Sequence, residues 1–161
     1  MKLLSLALLT VSAFTPGLAI AKGLPEGHRL AELTFETFDT TGRGFIDLPQ
    51  MLEIQQMVFA SMDADGDGKI SRNEMLQWDY GFSNLASENN RQTAYQTALK
   101  VLHSLWDLND DGQVDETEFR KASIADFERA DIDNDKLLSK KEFIRGFSVL
   151  VALRAALSPQ E

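Results

Sequence analysis

The sequence predicts an all-α protein of about six helices, connected by four acidic loops of twelve residues each. The 161 residues are 43% apolar, which is enough to build the core of one domain of ordinary size. The acids are concentrated, because 16 of the 25 lie in twelve-residue windows that start at Asp39, Asp63, Asp107 and Asp131. The segments between these windows carry apolar residues at helical spacing. Such a concentration of negative charge predicts binding sites for cations.

The first 21 residues are typical of an export signal. Lys2 supplies a short positive start, Leu3 to Thr15 form an uncharged run, and Pro16-Gly17 break it before the small-x-small pattern Ala19-Ile20-Ala21. We therefore expect cleavage after Ala21, which leaves residues 22–161 as the mature domain with a formal charge of −10. The alternative is an uncleaved anchor, because Leu3 to Ala21 is nearly long enough to span a bilayer. No later segment is apolar enough to insert into a membrane, and the very short basic start favours a bacterial periplasmic or secreted protein.

The predicted helices lie near residues 27–38, 48–62, 72–84, 91–106, 116–130 and 140–157. Residues 51–62 contain no Gly or Pro, so they must cross between two acidic windows as one continuous helix, and residues 119–130 do the same. Residues 75–106 contain a polar break at 83–90, which predicts a hairpin of two helices. The last helix is apolar almost all round, which favours a buried core helix over a surface for a partner.

Two of the windows, 63–74 and 107–118, satisfy the pattern D-x-[DN]-x-[DN]-G-x₅-E. In this respect the sequence resembles the EF-hand calcium-binding family, and its short loop spacing is similar to that of exported bacterial members. The resemblance covers nearly all of the mature chain. It implies a helix-loop-helix array in which Ca²⁺ is the bound ion, and whether Mg²⁺ competes for the same oxygens stays open.

The resemblance also implies a ligand set at loop positions 1, 3, 5, 7, 9 and 12, where position 7 supplies a backbone carbonyl. In the first full loop these are Asp63, Asp65, Asp67, the carbonyl of Lys69, Ser71 and Glu74. In the second they are Asp107, Asn109, Asp111, the carbonyl of Gln113, Asp115 and Glu118.

A third window, 131–142, keeps the ligand pattern but has Lys136 at the glycine position. Its predicted ligands are Asp131, Asp133, Asp135, the carbonyl of Leu137, Ser139 and Glu142. A side chain at that turn costs about 1 kcal/mol, so we expect a weaker third calcium site. The alternative is a loop that keeps the shape and stays mostly empty.

The remaining window, 39–50, is predicted to be degenerate. Arg43 stands where an acid is expected, and Gln50 cannot supply two anionic oxygens. The formal charge of its ligand positions is about −1, against about −4 for a full site. We therefore expect a structural loop without useful calcium affinity.

Loop position 8 is expected to pair the loops through short strands, as in the family. The residues at this position are Ile46, Ile70, Val114 and Leu138. Because the helices 48–62 and 119–130 each carry a loop at either end, the two loops that one helix joins cannot lie side by side. We predict that Ile70 pairs with Val114, and Ile46 with Leu138.

Composition restricts the function further. With 25 acids, 16 bases and a net charge of −9, the chain is a poor partner for nucleic acid. The absence of cysteine excludes disulfides, thiolate zinc sites and Fe–S clusters, and no nucleophile–base pattern indicates an enzyme. Two hypotheses stay open: a calcium-responsive interaction module with an unidentified protein partner, and a calcium buffer or calcium-stabilised structural protein that does not switch.

Overall fold

The computed structural model describes residues 26–79 and 81–157, so the predicted export signal at 1–21 lies outside the described residues. This part of the chain is predominantly α-helical, as predicted. Its helices are α1 (Glu26–Phe38), α2 (Leu48–Met62), α3 (Arg72–Gln77), α4 (Phe82–Glu88), α5 (Gln92–Trp106), α6 (Glu116–Ala130), α7 (Lys140–Gly146) and α8 (Ser148–Leu157). Its strands, of three residues each, are β1 (Phe45–Asp47), β2 (Lys69–Ser71), β3 (Gln113–Asp115) and β4 (Leu137–Ser139).

The strands form two antiparallel pairs, which confirms the predicted pairing of the loops. Ile70 of β2 lies opposite Val114 of β3, and Ile46 of β1 lies opposite Leu138 of β4. All four side chains are fully buried. Helices α2 and α6 each begin at one strand pair and end at a loop of the other, and they pack against each other with Phe59 and Phe119 ring centroids 5.5 Å apart.

The helices that leave the loops begin at side-chain caps supplied by the loops themselves. Ser71, Asp115 and Ser139 each accept the backbone N–H of the glutamate three residues later. That glutamate in turn accepts the N–H of the capping residue, which completes a capping box in α3, α6 and α7. Residues 9 and 12 of each full loop are therefore held by the helix start.

The predicted helix 72–84 and the predicted break at 83–90 are wrong in position. Helix α3 already ends at Gln77, and α4 covers most of the expected break. Gly81 adopts φ +85°, a left-handed conformation that suits glycine, and its N–H donates to Asp79 at 2.8 Å. The extended backbone of Trp78 (φ −67°, ψ 124°) ends α3 earlier than the apolar pattern indicated.

The predicted helix 140–157 is also interrupted, at Phe147, into α7 and α8. The buried Asp126 of α6 accepts hydrogen bonds from the backbone N–H and the hydroxyl of Ser148, and so caps the start of α8. Helix α8 buries Leu150, Leu153 and Leu157 and packs against α5, so the prediction of a core helix is confirmed.

The core lies between the two strand pairs. Near β1 and β4 it contains Phe35, Phe38, Phe143 and Phe147, whose neighbouring rings are 5.0–6.1 Å apart. Near β2 and β3, the Trp106 ring meets Phe119 edge-on at 5.0 Å. Among the described helices, none combines the length and the apolar character that crossing a bilayer requires.

Candidate metal sites in the acidic loops

The first aspartate closes each loop by accepting backbone N–H groups. Asp63 Oδ1 accepts from Gly66 at 2.9 Å and from Asp67 at 3.1 Å, and its Oδ2 accepts from Gly68 at 2.9 Å. The equivalent bond from loop position 6 is made in the other loops by Gly44 to Asp39 (2.6 Å), Gly112 to Asp107 (2.9 Å) and Lys136 to Asp131 (3.0 Å). All four loops therefore share one coiled backbone.

The glutamate at position 12 connects the two ends of each full loop. Glu118 Oε1 accepts the N–H of Leu108 at 3.0 Å, and its Oε2 accepts the N–H of Asp115 at 3.0 Å. Glu74 and Glu142 bond in the same way to positions 2 and 9 of their loops. The Ser71 N–H lowers the pKa of Glu74 despite an opposing effect of burial, and the Ser139 hydroxyl lowers the pKa of Glu142. Both carboxylates are thus kept anionic, the form that a cation requires.

Carboxylate oxygens converge in two of the loops. One oxygen each from Asp63, Asp65 and Asp67 lies within 4.8 Å of the others, and the same holds for Asp131, Asp133 and Glu142. This spacing and this donor type suit a hard divalent cation with oxygen ligands, as Ca²⁺ is. In loop 107–118, position 3 is Asn109, whose Oδ1 accepts the N–H of Asp111 at 2.8 Å, so an amide stands in place of the third carboxylate.

Asp131 carries a further sign of a cation site. The residue is buried, and its Oδ1 has no hydrogen-bond partner among the described residues. A buried carboxylate oxygen without a donor is costly unless a positive charge compensates it. Because Asp133 and Glu142 approach the same point, their charges add to the repulsion. The residues present therefore fit a divalent cation, which would be held by these three carboxylates.

The glycine position of loop 131–142 has the strained backbone that the sequence predicted. Lys136 adopts φ +68°, whereas the equivalent Gly44, Gly68 and Gly112 have φ between +81° and +84°. A side chain in this left-handed region costs about 1 kcal/mol, although its N–H still reaches Asp131. The loop keeps its shape, and the strain is part of the folded state.

In loop 39–50 the Arg43 side chain makes the contacts that a cation would otherwise make. Its Nε donates to Thr41 Oγ1 at 2.8 Å, and its Nη2 donates to Asp47 Oδ2 at 2.8 Å and to Gln50 Oε1 at 3.0 Å. These partners are positions 3, 9 and 12 of the loop. The guanidinium also lies 4.5 Å from the centroid of the Phe45 ring. An internal cation thus bonds to three positions that supply ligands in a full loop.

The sequence singled out Arg43 only as a charge that does not belong in a calcium loop. Its bonds to Thr41 and Gln50 were missed, although the Arg43–Asp47 spacing of four residues is a recognisable ion-pair signal.

His103 was also missed as a structural residue. It is fully buried on α5, and its Nε2 lies 3.0 Å from the carbonyl oxygen of Ile70 in β2. No pattern around His103 indicated this contact, because its partner is distant in sequence.

The other predicted ligands lie where the loop pattern places them. Asp65, Asp67, Asp111, Asp133 and Asp135 are exposed in the middle of their loops. Lys69, Gln113 and Leu137, whose carbonyls are predicted ligands, are the first residues of β2, β3 and β4. Coordination by each named atom stays a prediction.

A comparison with known protein families agrees with this geometry. Residues 52–124 match the family model of the EF-hand domain pair. The matched segment contains both full loops, 63–74 and 107–118, with the strand pair that joins them. The EF-hand is typically a non-enzymatic calcium-binding fold, and the acidic clusters support the binding of calcium. The segment 52–124 of this chain is therefore similar to the EF-hand domain pair.

Proposed function

We propose that this protein is an exported calcium-binding protein that binds three Ca²⁺ ions, in loops 63–74, 107–118 and 131–142, and that ion occupancy controls its contact with another protein. The observation that carries the sites in loops 63–74 and 131–142 is the convergence of carboxylate oxygens, together with the buried and uncompensated Asp131 Oδ1. Loop 107–118 is supported by its match to the EF-hand domain pair and by hydrogen bonds like those of loop 63–74. Loop 39–50 is excluded from the count because Arg43 already bonds to its ligand positions.

The proposed control of a partner contact depends on hydrogen bonds that connect the loops to the helices that follow them. Each position-12 glutamate bonds to the backbone at position 2 and to the cap of the following helix. A cation that recruits Glu118 or Glu142 competes for these bonds, so binding must adjust the start of α6 or α7. This linkage favours a responsive protein over a passive one.

The second candidate is a calcium buffer or a calcium-stabilised structural protein. Outside the cell calcium is abundant, and EF-hand modules there work at dissociation constants of about 10⁻⁴–10⁻³ M. A loop with four acidic ligands that binds more tightly would stay filled and would only stabilise the fold. The proposed export, which rests on residues 1–21, makes this alternative relevant.

A calcium titration with a hydrophobic dye separates the two, with Mg²⁺ as the control ion. Trp106, which directly precedes Asp107, reports binding through its fluorescence, and a Trp78→Phe variant removes the second tryptophan. A saturable rise of dye signal with calcium supports the responsive protein. A fall or no change, while Trp106 still reports binding, supports the buffer or structural protein. No response of Trp106 and no heat of calcium binding would overturn both.

Site variants test whether the proposed loops hold the ions. Glu118→Gln should remove one calcium equivalent, because the amide cannot supply two anionic oxygens. Glu128→Gln is the matched control, since Glu128 is an exposed glutamate of the same helix outside the loops. Equal calcium stoichiometry in the two variants would contradict the assignment of Glu118.

A further inference from the structure

The residue four positions before each acidic loop lies at an equivalent place in the four repeats. These residues are Phe35, Phe59, His103 and Phe127, and all four are buried. The carbonyl oxygen of each one accepts the N–H of the first aspartate of its loop, at 2.8–3.0 Å. Three repeats therefore place a phenylalanine ring at this core position, whereas the repeat that leads into loop 107–118 places a polar ring there.

The imidazole ring of His103 bonds to the neighbouring loop. Its side chain is fully buried, and its Nε2 lies 3.0 Å from the carbonyl oxygen of Ile70. Because a carbonyl oxygen only accepts, Nε2 carries the ring proton and donates it, which leaves Nδ1 as an acceptor. Nδ1 is buried and has no hydrogen-bond partner among the described residues. A buried polar ring is costly where phenylalanine would fit, so the bond to Ile70 is what distinguishes His103 from its three equivalents.

Ile70 lies where the two full loops meet. It occupies position 8 of the first full loop, and in the strand pair β2–β3 it lies opposite Val114, which occupies position 8 of the second. Its neighbours in β2 are Lys69, whose carbonyl is a predicted ligand, and Ser71, which is a predicted ligand and caps α3. A bond that fixes the Ile70 carbonyl thus restricts the backbone between two ligand positions.

The main chain of His103 bonds to the other loop of the pair. Its carbonyl oxygen accepts the N–H of Asp107, the first predicted ligand of loop 107–118, at 3.0 Å. One residue of α5 therefore bonds to both full loops, to one through its side chain and to the other through its backbone. The equivalent residues Phe35 and Phe127 carry no side-chain donor, so they cannot make such a bond to the other strand pair.

We propose that His103 is a positioning residue for the calcium sites of loops 63–74 and 107–118, and that its Nε2–H bond to Ile70 holds loop 63–74 in the coiled form that binds the ion. The inference rests on the calcium binding proposed above. A backbone segment that is already fixed need not be ordered when the ion binds, so the bond lowers the entropic cost of binding. Loop 131–142 follows Phe127 and lacks this contribution, so it serves as an internal reference.

Calcium titrations of three His103 variants, by isothermal titration calorimetry, test the side-chain bond. His103→Gln keeps an N–H donor at the place of Nε2, whereas the shorter amide of His103→Asn ends near the place of Nδ1. His103→Phe restores the ring of the other repeats and removes the donor. The Phe and Asn variants should weaken calcium about five-fold at the two full loops, and the Gln variant should stay within about two-fold of the original chain. Equal affinities of the Asn and Gln variants would overturn the role of Nε2.

Two backgrounds separate positioning of the loops from a general loosening of the core. Glu142→Gln leaves the two full loops as calcium sites, and Glu74→Gln with Glu118→Gln leaves loop 131–142. His103→Phe should lower the calcium affinity in the first background and leave it unchanged in the second. A similar loss of affinity in both backgrounds would show that His103 supports only the core, and would overturn the proposal.

The tautomer of His103 is a readout that needs no calcium. Long-range ¹H–¹⁵N NMR spectra of the calcium-free chain distinguish a proton on Nε2 from one on Nδ1, and a His28→Gln variant identifies the signals, since the chain has two histidines. We expect the proton on Nε2, and a proton on Nδ1 would overturn the proposal. If the original chain binds no calcium, the proposed function fails and this inference with it. If the original chain binds calcium and the three His103 variants bind it equally well, only the role of His103 fails.

Discussion

Replacing Arg43 by alanine should destabilise the protein by about 1–2 kcal/mol, whether or not calcium is present. The ion pair with Asp47 is worth about 0.5 kcal/mol, because the two side chains are 39% and 30% exposed. The contact over the Phe45 ring adds about 0.5 kcal/mol. The bonds to Thr41 and Gln50 add a few tenths of a kcal/mol each, because water can replace them. For a domain of this size the melting temperature should fall by about 3–6 °C.

Thermal unfolding by circular dichroism, in calcium and in a chelator, measures this change. The decrease should be similar in the two media, because the lost contacts involve no bound ion. Arg120→Ala is the control, since Arg120 is an exposed arginine of α6 that forms no salt bridge with the described residues. An unchanged or raised melting temperature of Arg43→Ala would refute the reasoning.

Because Arg43 bonds to the ligand positions of loop 39–50, replacing it should give this loop an affinity for calcium. Arg43→Asp together with Gln50→Glu removes the internal cation and supplies the missing carboxylates, so the ligand charge rises to about −4. The double variant should bind one more calcium ion than the original chain in isothermal titration calorimetry. An unchanged stoichiometry would mean that the loop fails as a site for a reason other than Arg43.

Three further predictions follow from local geometry. Lys136→Gly should relieve the left-handed strain and tighten calcium at loop 131–142 several-fold in calorimetry, and weaker binding would count against the strain. Gly146→Ala should lower the melting temperature by several degrees, because a Cβ there would lie 2.6 Å from Ala130 Cα and Cβ. The control Gly27→Ala should be neutral or stabilising, because the nearest atom to its Cβ would be 3.7 Å away. Similar melting temperatures for the two variants would contradict this packing. The Gln50 N–H and Arg43 hold the pKa of Asp47 below its ordinary value, so its charge stabilises the fold at neutral pH and this contribution is lost as the pH falls below about 4. Asp47→Asn should accordingly melt lower than the original chain at pH 7, and this difference should shrink as the pH falls through the lowered pKa of Asp47; a difference that stays constant on acidification would contradict the assignment.

The loop pattern predicted the fold well, because each loop specifies several things at once. Asp115 is a predicted ligand and also caps α6. Glu118 is a predicted ligand and also forms the capping box of α6 together with Asp115. The fully buried Ile70 and Val114 at position 8 set the strand register. These constraints are local and repeat with the loop, so the sequence alone is sufficient to recognise them.

Features that depend on distant contacts were predicted less well. The division between α7 and α8 depends on Asp126, which caps α8 from a helix more than twenty residues earlier. The early end of α3 lies at Trp78, whose backbone is extended and whose indole N–H donates to Ser61 of α2 at 3.0 Å. The contact between His103 and Ile70 could not be predicted from either segment alone, because α5 and β2 meet only in the folded chain.

Calcium stoichiometry, determined by isothermal titration calorimetry together with native mass spectrometry, tests the central claim most directly. The account predicts three calcium ions per chain, since three loops present carboxylates and Arg43 occupies the role of the cation in the fourth. A fourth ion in the original chain would contradict the role of Arg43. Two ions would contradict the site at Asp131, and none would contradict the proposed function.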